Sequence, residues 1–170
     1  MILLGLDYPI TEKIKWAESI FKTHRESLLH NDTISNILKI YREKIDNTWR
    51  IMRETGICNI CTRCALLEGG SCCGDGIEDK FDALLLLINL LFGYKLPLKR
   101  EIENGCWFLG EKGCKLIARQ VICVNYLCKK IYNEVEPEQI HRLQRAILDE
   151  TEQLFIVEEK MKSELLKLGI

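Results

Sequence analysis

The hydrophobic residues of the first 56 positions fall into two helical stripes. Apolar side chains recur every three or four residues across 10–28, which predicts an amphipathic helix of about five turns. Asn31 follows, and its side chain can cap the next helix. A second stripe occupies 34–52 and ends before Gly56, a residue suited to the position after a helix. Residues 1–56 are therefore predicted to form an N-terminal pair of helices in antiparallel contact.

The C-terminal part of the chain shows a longer stripe of the same kind. Pro137 stands where a first helical turn tolerates proline, and apolar residues continue at helical spacing from Ile140 to Leu168. The pattern predicts one long helix over 137–168. Because an exposed stripe of this length would make a large apolar patch, we expect it to pack on the N-terminal helices within one chain. Pairing of the same stripe between two chains is the alternative.

A third hydrophobic segment, residues 81–92, is apolar on nearly every side. It is too short for a bilayer, which needs about twenty residues, and its leucines favour a helix over a strand. We expect a short helix buried in the core. The sequence thus predicts one mainly α domain over 1–170, in which a helical bundle surrounds a loop-rich region at 57–130.

Composition adds that this bundle is an ordinary globular domain. Hydrophobic residues make up 47% of the 170 positions and charged residues 29%, which excludes a disordered or collagen-like chain. The 24 basic and 25 acidic residues give a formal charge of −1. Nothing in this balance favours a nucleic acid or an anionic membrane, so we expect neither as a partner.

The nine cysteines all lie between Cys58 and Cys128. The N-terminus lacks the basic segment and the long apolar run of a secretion signal, so we expect a cytoplasmic location and reduced thiols. Reduced thiols at this density favour metal binding over disulfide bonds. We therefore predict that the cysteines hold a metal or cofactor, and the candidate ligands are Cys58, Cys61, Cys64, Cys72, Cys73, Cys106, Cys114, Cys123 and Cys128.

The spacing of the cysteines indicates which metal. Cys58, Cys61 and Cys64 form two consecutive Cys-x-x-Cys steps, predicted to lie in a loop whose amides turn toward the sulfurs. Three ligands this close, with a distant fourth, favour an iron–sulfur cluster, and 4Fe–4S in particular. Zinc is the alternative. The thiols suffice for one or two centres, and Cys123 in its apolar surroundings is as well explained by packing.

The cysteine pattern resembles the YkgJ-like cysteine-cluster family, named for a Cys-x-x-Cys-x-x-Cys-Cys run. Later landmarks of that family are similar to Cys106-Trp107-Phe108-Leu109, to Gly113-Cys114 and to Arg119 ahead of Cys123, with Cys128 closing the set. The double cysteine is displaced here to Cys72-Cys73, and Gln120 replaces a proline. The similarity covers roughly 58–128. What the resemblance implies is chelation of zinc or iron, with no particular reaction.

Charged residues surround the cysteines in the sequence. A divalent or cubane centre on four thiolates keeps net negative charge, which nearby cations can offset. Alternatively, these cations form a solvated face. The acids Asp75, Glu78, Asp79 and Asp82 are explained as loop and helix-N-terminal residues. The cations concerned are Arg63, Lys112, Lys115, Arg119, Lys129 and Lys130.

Three functions follow from these expectations. The first is electron transfer, or the handling of clusters or metal, with a redox or metal-accepting protein as partner. The second is an iron–sulfur enzyme in which one iron lacks a protein ligand and binds substrate. The third is a structural zinc protein whose helices bind partners. The sequence contains no Ser/His/Asp set, phosphate loop or HExxH motif, and it leaves the choice between an enzyme and a non-enzyme, and between monomer and homodimer, open.

Overall fold

The computed structural model describes residues 4–67 and 72–170, and the Gly-rich segment at 68–71 lies outside this part of the chain. The protein is mainly helical, as predicted. A single 3₁₀ turn, Ile77–Lys80, precedes the buried helix. The elements, in chain order, are α1 (Ile10–Leu29), α2 (Asp32–Glu54), α3 (Ile57–Leu67), α4 (Ala83–Leu91), β1 (Leu109–Gly110), β2 (Gly113–Cys114), α5 (Val121–Asn125), α6 (Lys129–Glu134) and α7 (Pro137–Lys167).

The ends of α2 follow the signals in the sequence. Asn31 is the N-cap, and its side chain accepts a hydrogen bond from the N–H of Ile34 at 3.1 Å. Gly56 follows the helix with φ of 77°, a left-handed conformation that other residues rarely adopt. Both boundaries agree with the prediction.

The long helices form a bundle, but the first two helices are not, as the sequence suggested, each other's main neighbours. α2 packs mainly along α7, whereas α1 packs mainly on α4 and touches α2 less. The apolar stripe of α7 is buried against the rest of the chain, with Leu143 and Leu165 fully enclosed. The predicted packing of this stripe within one chain is therefore confirmed.

The segment predicted as a buried helix is α4. Asp82 caps it by accepting a hydrogen bond from the N–H of Leu85 at 2.8 Å. Every residue from Ala83 to Leu90 is buried, including the polar Asn89. Among the described residues, no helix combines the length and the apolar character needed to cross a bilayer.

Two hydrophobic cores lie side by side. The larger joins α1, α4, the first part of α2 and the last part of α7. The smaller joins the end of α2 with α3, α5, α6 and the first part of α7. Cysteines occur at the margins of both: Cys73, Cys106, Cys114 and Cys123 belong to the larger, and Cys61 and Cys128 to the smaller. The cysteine region therefore lies where the two cores meet.

The prediction of a loop around Cys58, Cys61 and Cys64 is wrong. These residues lie in α3, an eleven-residue helix. Ile57 and Ile60 are both buried in the smaller core and hold one side of the helix in place. A spacing of three residues brings side chains together on a helix as well as in a metal-binding loop. The burial of Ile57 and Ile60 favours the helix here.

Candidate metal centre

The α3 helix presents its three thiols on one side. Residues three apart on a helix are surface neighbours, with Cβ atoms about 5–6 Å apart. Cys58, Cys61 and Cys64 are each partly exposed, and Cys61 also packs against the smaller core. The helical spacing thus places the three cysteines at neighbouring positions of α3, but within the described residues their sulfurs do not converge on one metal position.

The two segments that carry Cys73 and Cys106 are joined by main-chain hydrogen bonds. The N–H of Cys106 donates to the carbonyl of Cys73 at 2.8 Å. Gly74 and Gly105 form an isolated antiparallel bridge beside it. The bridge brings together cysteines that lie 33 positions apart in the chain.

An ion-pair cluster around Arg100 stabilises this bridge. Arg100 pairs with Asp75 and with Glu78, and its Nη1 also donates to the carbonyl of Gly105 at 2.9 Å. The Glu78 carboxylate accepts from the N–H of Gly76 at 3.1 Å and is buried, with the residue 1% exposed. Glu78 is thus a structural partner of Arg100, a role that its position near a helix start did not reveal.

The remaining cysteines are placed by short elements. Cys114 lies on β2, opposite Leu109 of β1. Cys123 lies in α5, which Gln120 caps, and Cys128 is the N-cap residue of α6. Gln120 has φ of −61°, a value that proline also adopts, and its Nε2 donates to the carbonyl of Lys80 at 2.8 Å. Gln120 therefore has a backbone conformation that proline could also adopt, and its side chain makes a further hydrogen bond.

Asn89 of α4 fixes the segment that leads to Arg119. Its Oδ1 accepts from the N–H groups of Ile117 and Ala118 at 2.9 and 3.0 Å. Its Nδ2 donates to the carbonyls of Leu85 and Ala118, both at 2.9 Å. All of the hydrogen-bonding capacity of this buried amide is used. The sequence feature that could have revealed this role is a single polar residue, Asn89, in an otherwise apolar segment.

All nine cysteines line one cavity of about 100 Å³ between the two cores. A water molecule needs about 10–15 Å³ of such volume, so the cavity has room for a group of several atoms. The thiols are not paired as disulfides. Within residues 4–67 and 72–170, no three Cys, His, Asp or Glu side chains stand close enough together to hold a single metal ion. The fold therefore collects the nine predicted ligands around one space without converging them on one point.

Burial disfavours the thiolate form of several cysteines of this cavity. It raises the pKa of Cys61 to about 11, with further contributions from neighbouring cysteines, and raises those of Cys106 and Cys123 to about 12. The pKa of Cys72 is raised by its hydrogen bond to Cys73 and by burial. Burial also raises the pKa of Cys58, although the positive charge of Arg119 opposes it. Metal ligation would have to displace these protons.

The cations around the cysteines divide into two groups. Arg63 pairs with Glu134 at 2.6 Å and Lys115 with Glu101 at 2.9 Å, both in contact with solvent, so these two form a surface face. Lys112 and Arg119 line the cavity itself. Lys130 places its Nζ 3.8 Å from the sulfur of Cys64. Lys112, Arg119 and Lys130 are therefore placed to offset the charge of a thiolate centre, and the charge of Lys115 also acts on Cys114.

An open groove of about 420 Å³ adjoins the cavity. Trp49, Cys58, Lys112 and Cys114 line both spaces. The groove also carries Arg42, Asp46 and Arg53, of which Arg42 and Asp46 pair at 3.0 Å. One side of the thiol cavity therefore faces a positively charged surface.

The donor set fits a soft metal, since thiolates are the ligands that zinc and iron–sulfur clusters prefer. Comparison of the chain with protein-family models, with curated proteins and with solved structures gives no match. The resemblance to the YkgJ-like family rests on the cysteine pattern set out above.

Proposed function

We propose that this protein binds a cysteine-ligated metal centre, one or two iron–sulfur clusters, and acts in electron transfer or in cluster or metal handling. The observation that carries the proposal is the single cavity lined by all nine cysteines. Cysteines that served only as small hydrophobic residues would not need to share one space between two cores.

The number of thiols supports a polynuclear centre over a single zinc ion. A tetrahedral zinc site uses four ligands, which would leave five of the nine thiols around the same cavity without a role. One 4Fe–4S cluster also uses four thiolates, so the number of thiols favours two centres over one, and the cavity has room for a group of several atoms. Two such clusters would use eight thiols.

The cavity lies close to the surface, which supports exchange of electrons or clusters with another protein. Cys72 is exposed, and Tyr126, another wall residue, is 56% exposed. A centre held here would lie close to solvent. Such a position allows exchange of electrons or clusters with a partner.

We further propose that the partner presents acidic side chains to the groove beside the cavity. Arg53 and Lys112 give this groove positive charge that the Arg42–Asp46 pair does not neutralise. Opposite charges accelerate the encounter of two proteins, and the effect weakens as salt is added. The groove leads to Cys58 and Cys114, so a partner bound there would reach the thiols.

The proposal is tested by purifying the whole chain without oxygen and measuring its visible spectrum, iron, sulfide and zinc. We expect a brown protein with broad absorption that bleaches on reduction, and iron and sulfide in equal amounts. A colourless protein with stoichiometric zinc and no sulfide would favour the structural alternative. An iron–sulfur centre that keeps one iron free of thiolate, detected by a shift of its spectrum with added small ligands, would favour the enzyme.

A further inference from the structure

Arg119 is a buried cation in the wall of the thiol cavity. The residue is 3% exposed, and its guanidinium carbon lies 4.0 Å from the centroid of the Trp49 ring. It acts electrostatically on three of the cysteines, because its charge opposes the rise in pKa that burial imposes on Cys58, Cys114 and Cys123. The cation–π contact with Trp49 holds the guanidinium in the cavity wall.

The hydrogen-bonding groups of this guanidinium are mostly unused. Nη1 approaches the sulfur of Met52 at 3.6 Å, a weak acceptor. Nε and Nη2 are buried and have no hydrogen-bond partner among the described residues. A buried charged donor without an acceptor costs several kcal/mol. Such a group is retained where an anion accepts its hydrogen bonds.

A buried acid interacts electrostatically with Arg119. Glu150 of α7 is 1% exposed, and burial raises its pKa while the charge of Arg119 lowers it. Both carboxylate oxygens of Glu150 are buried without a hydrogen-bond partner among the described residues. Two kinds of anion can therefore act on Arg119, the Glu150 carboxylate and the thiolates of the cavity. The position of Arg119 is set by Asn89, which holds the preceding residue, Ala118, from both sides.

We propose that Arg119 is a positioning residue for the anionic metal centre: its free N–H groups bind the thiolates or sulfides, and Glu150 moderates its charge. The inference rests on the proposed function, since it needs a negatively charged centre in the cavity. Reduction adds one electron to such a centre, and a fixed cation stabilises the reduced form more than the oxidised form. Arg119 would thus raise the redox potential, and Glu150 would lower it.

The test uses Arg119→Gln, Arg119→Lys and Glu150→Gln in the whole chain, loaded without oxygen with iron and sulfide. Arg63→Gln is the matched control, because Arg63 lies within the cysteine triad in sequence but pairs with Glu134 at the surface. Midpoint potential and retention of metal against a chelator are measured. Circular dichroism shows whether each variant is folded.

We expect Arg119→Gln to disfavour the reduced form about tenfold, a fall of about 59 mV for one electron. Metal retention should weaken by about 10–100-fold, as for other residues that support metal ligands. Arg119→Lys keeps the charge but loses the planar donor set, so its potential should fall less. Glu150→Gln should shift the potential upward, and Arg63→Gln should change neither quantity.

Equal potentials in Arg119→Gln and Arg63→Gln, with a loaded centre in both, would overturn the inference and leave the proposed function standing. If Arg119→Gln does not fold, Arg119→Lys and Glu150→Gln decide: an unchanged potential in both would also overturn it. A wild-type protein that binds no metal would instead refute the proposed function itself. If the protein binds only zinc, undiminished zinc retention in Arg119→Gln would overturn the inference.

Discussion

Asn89 and Ala118 exchange hydrogen bonds in both directions, with Asn89 Nδ2 donating to the Ala118 carbonyl at 2.9 Å and the Ala118 N–H donating to Asn89 Oδ1 at 3.0 Å. Both residues are fully buried. This pair joins the helix at the centre of the larger core to the residue that precedes Arg119. The stability of the core and the position of the cavity wall are therefore linked through one amide side chain.

Replacing Asn89 with leucine should destabilise the protein by about 2–4 kcal/mol. The change keeps the branched shape of the side chain but leaves the N–H groups of Ile117 and Ala118 without an acceptor, and each such loss in a buried site costs about 1–3 kcal/mol. Denaturant unfolding measures the effect. Leu86→Met, at an equally buried position of α4, is the control and should cost less than about 1.5 kcal/mol. Equal stabilities of the two variants would show that the amide is dispensable.

Replacing Cys58, Cys61 or Cys64 with serine should remove most of one metal centre. A hydroxyl is a poorer ligand for a soft metal than a thiolate, and retention against a chelator should weaken by more than about tenfold. Thr62→Ala changes the same helix without touching a thiol, and it should bind metal as the wild type does. A full metal complement in all three serine variants would exclude the triad as the site.

The metal-free protein should lose stability above pH 9. Folding raises the pKa values of Cys61 to about 11 and of Cys106 and Cys123 to about 12, from an ordinary value of 9.0. These thiols therefore favour the folded state fully below pH 9, and this contribution is lost as the pH rises toward their folded pKa values. Between pH 9 and 10, the ionisation of each of these three thiols should lower the free energy of unfolding by about 1 kcal/mol.

Denaturant unfolding at pH 8, 9 and 10 checks this expectation, with and without metal. In the metal-loaded protein, the thiols that ligate metal are already deprotonated, so the loss should be smaller. Alkylation of the metal-free protein should likewise accelerate with pH across this range, because the thiolate is the reactive form. A pH-independent stability of the metal-free protein would show that the thiols are not held in their protonated form by the fold.

The long helices could be predicted from the sequence because their burial follows one periodic stripe. α2 and α7 end within one or two residues of the positions that Gly56 and Gly169 indicate, since glycine stops a helix by adopting the left-handed conformation. The α3 helix was mistaken for a loop because its cysteines have a spacing that both structures share. Ile57 and Ile60, at the same spacing, were the signal that distinguishes them.

The cavity wall could be predicted only in part. The nine cysteines were identified as candidates because the residue type is rare and clustered. Glu150 was missed although it occupies a stripe position between Ile147 and Leu154, where a polar residue interrupts an apolar pattern. The burial of Arg119 depends on its contact with Trp49 and on the hydrogen bond between Asn89 and the preceding residue, Ala118. Both partners come from distant parts of the chain, so no local pattern predicts this burial.

Replacing Leu154 with glutamate should unfold the bundle. Leu154 is 4% exposed on α7 and belongs to the core that α1, α2 and α4 share, so the change would bury a charge without a partner. The cost of about 3–5 kcal/mol is a large part of the 5–15 kcal/mol that stabilises a typical domain. Phe155→Glu is the matched control, because the adjacent Phe155 is 64% exposed. It should leave the circular dichroism and the melting temperature nearly unchanged.

Sedimentation of the same two variants separates packing within the chain from packing between chains. If the buried stripe packs only within one chain, Leu154→Glu should lose helical signal at all protein concentrations. The number of chains per particle should then be the same in the variant and in the wild type. If the stripe also pairs two chains, Leu154→Glu should yield folded monomers where the wild type forms dimers. A fall in mass confined to Phe155→Glu would instead assign dimer formation to the exposed face of α7. A Leu154→Glu variant that is folded and unchanged in mass would contradict the packing of α7 described above.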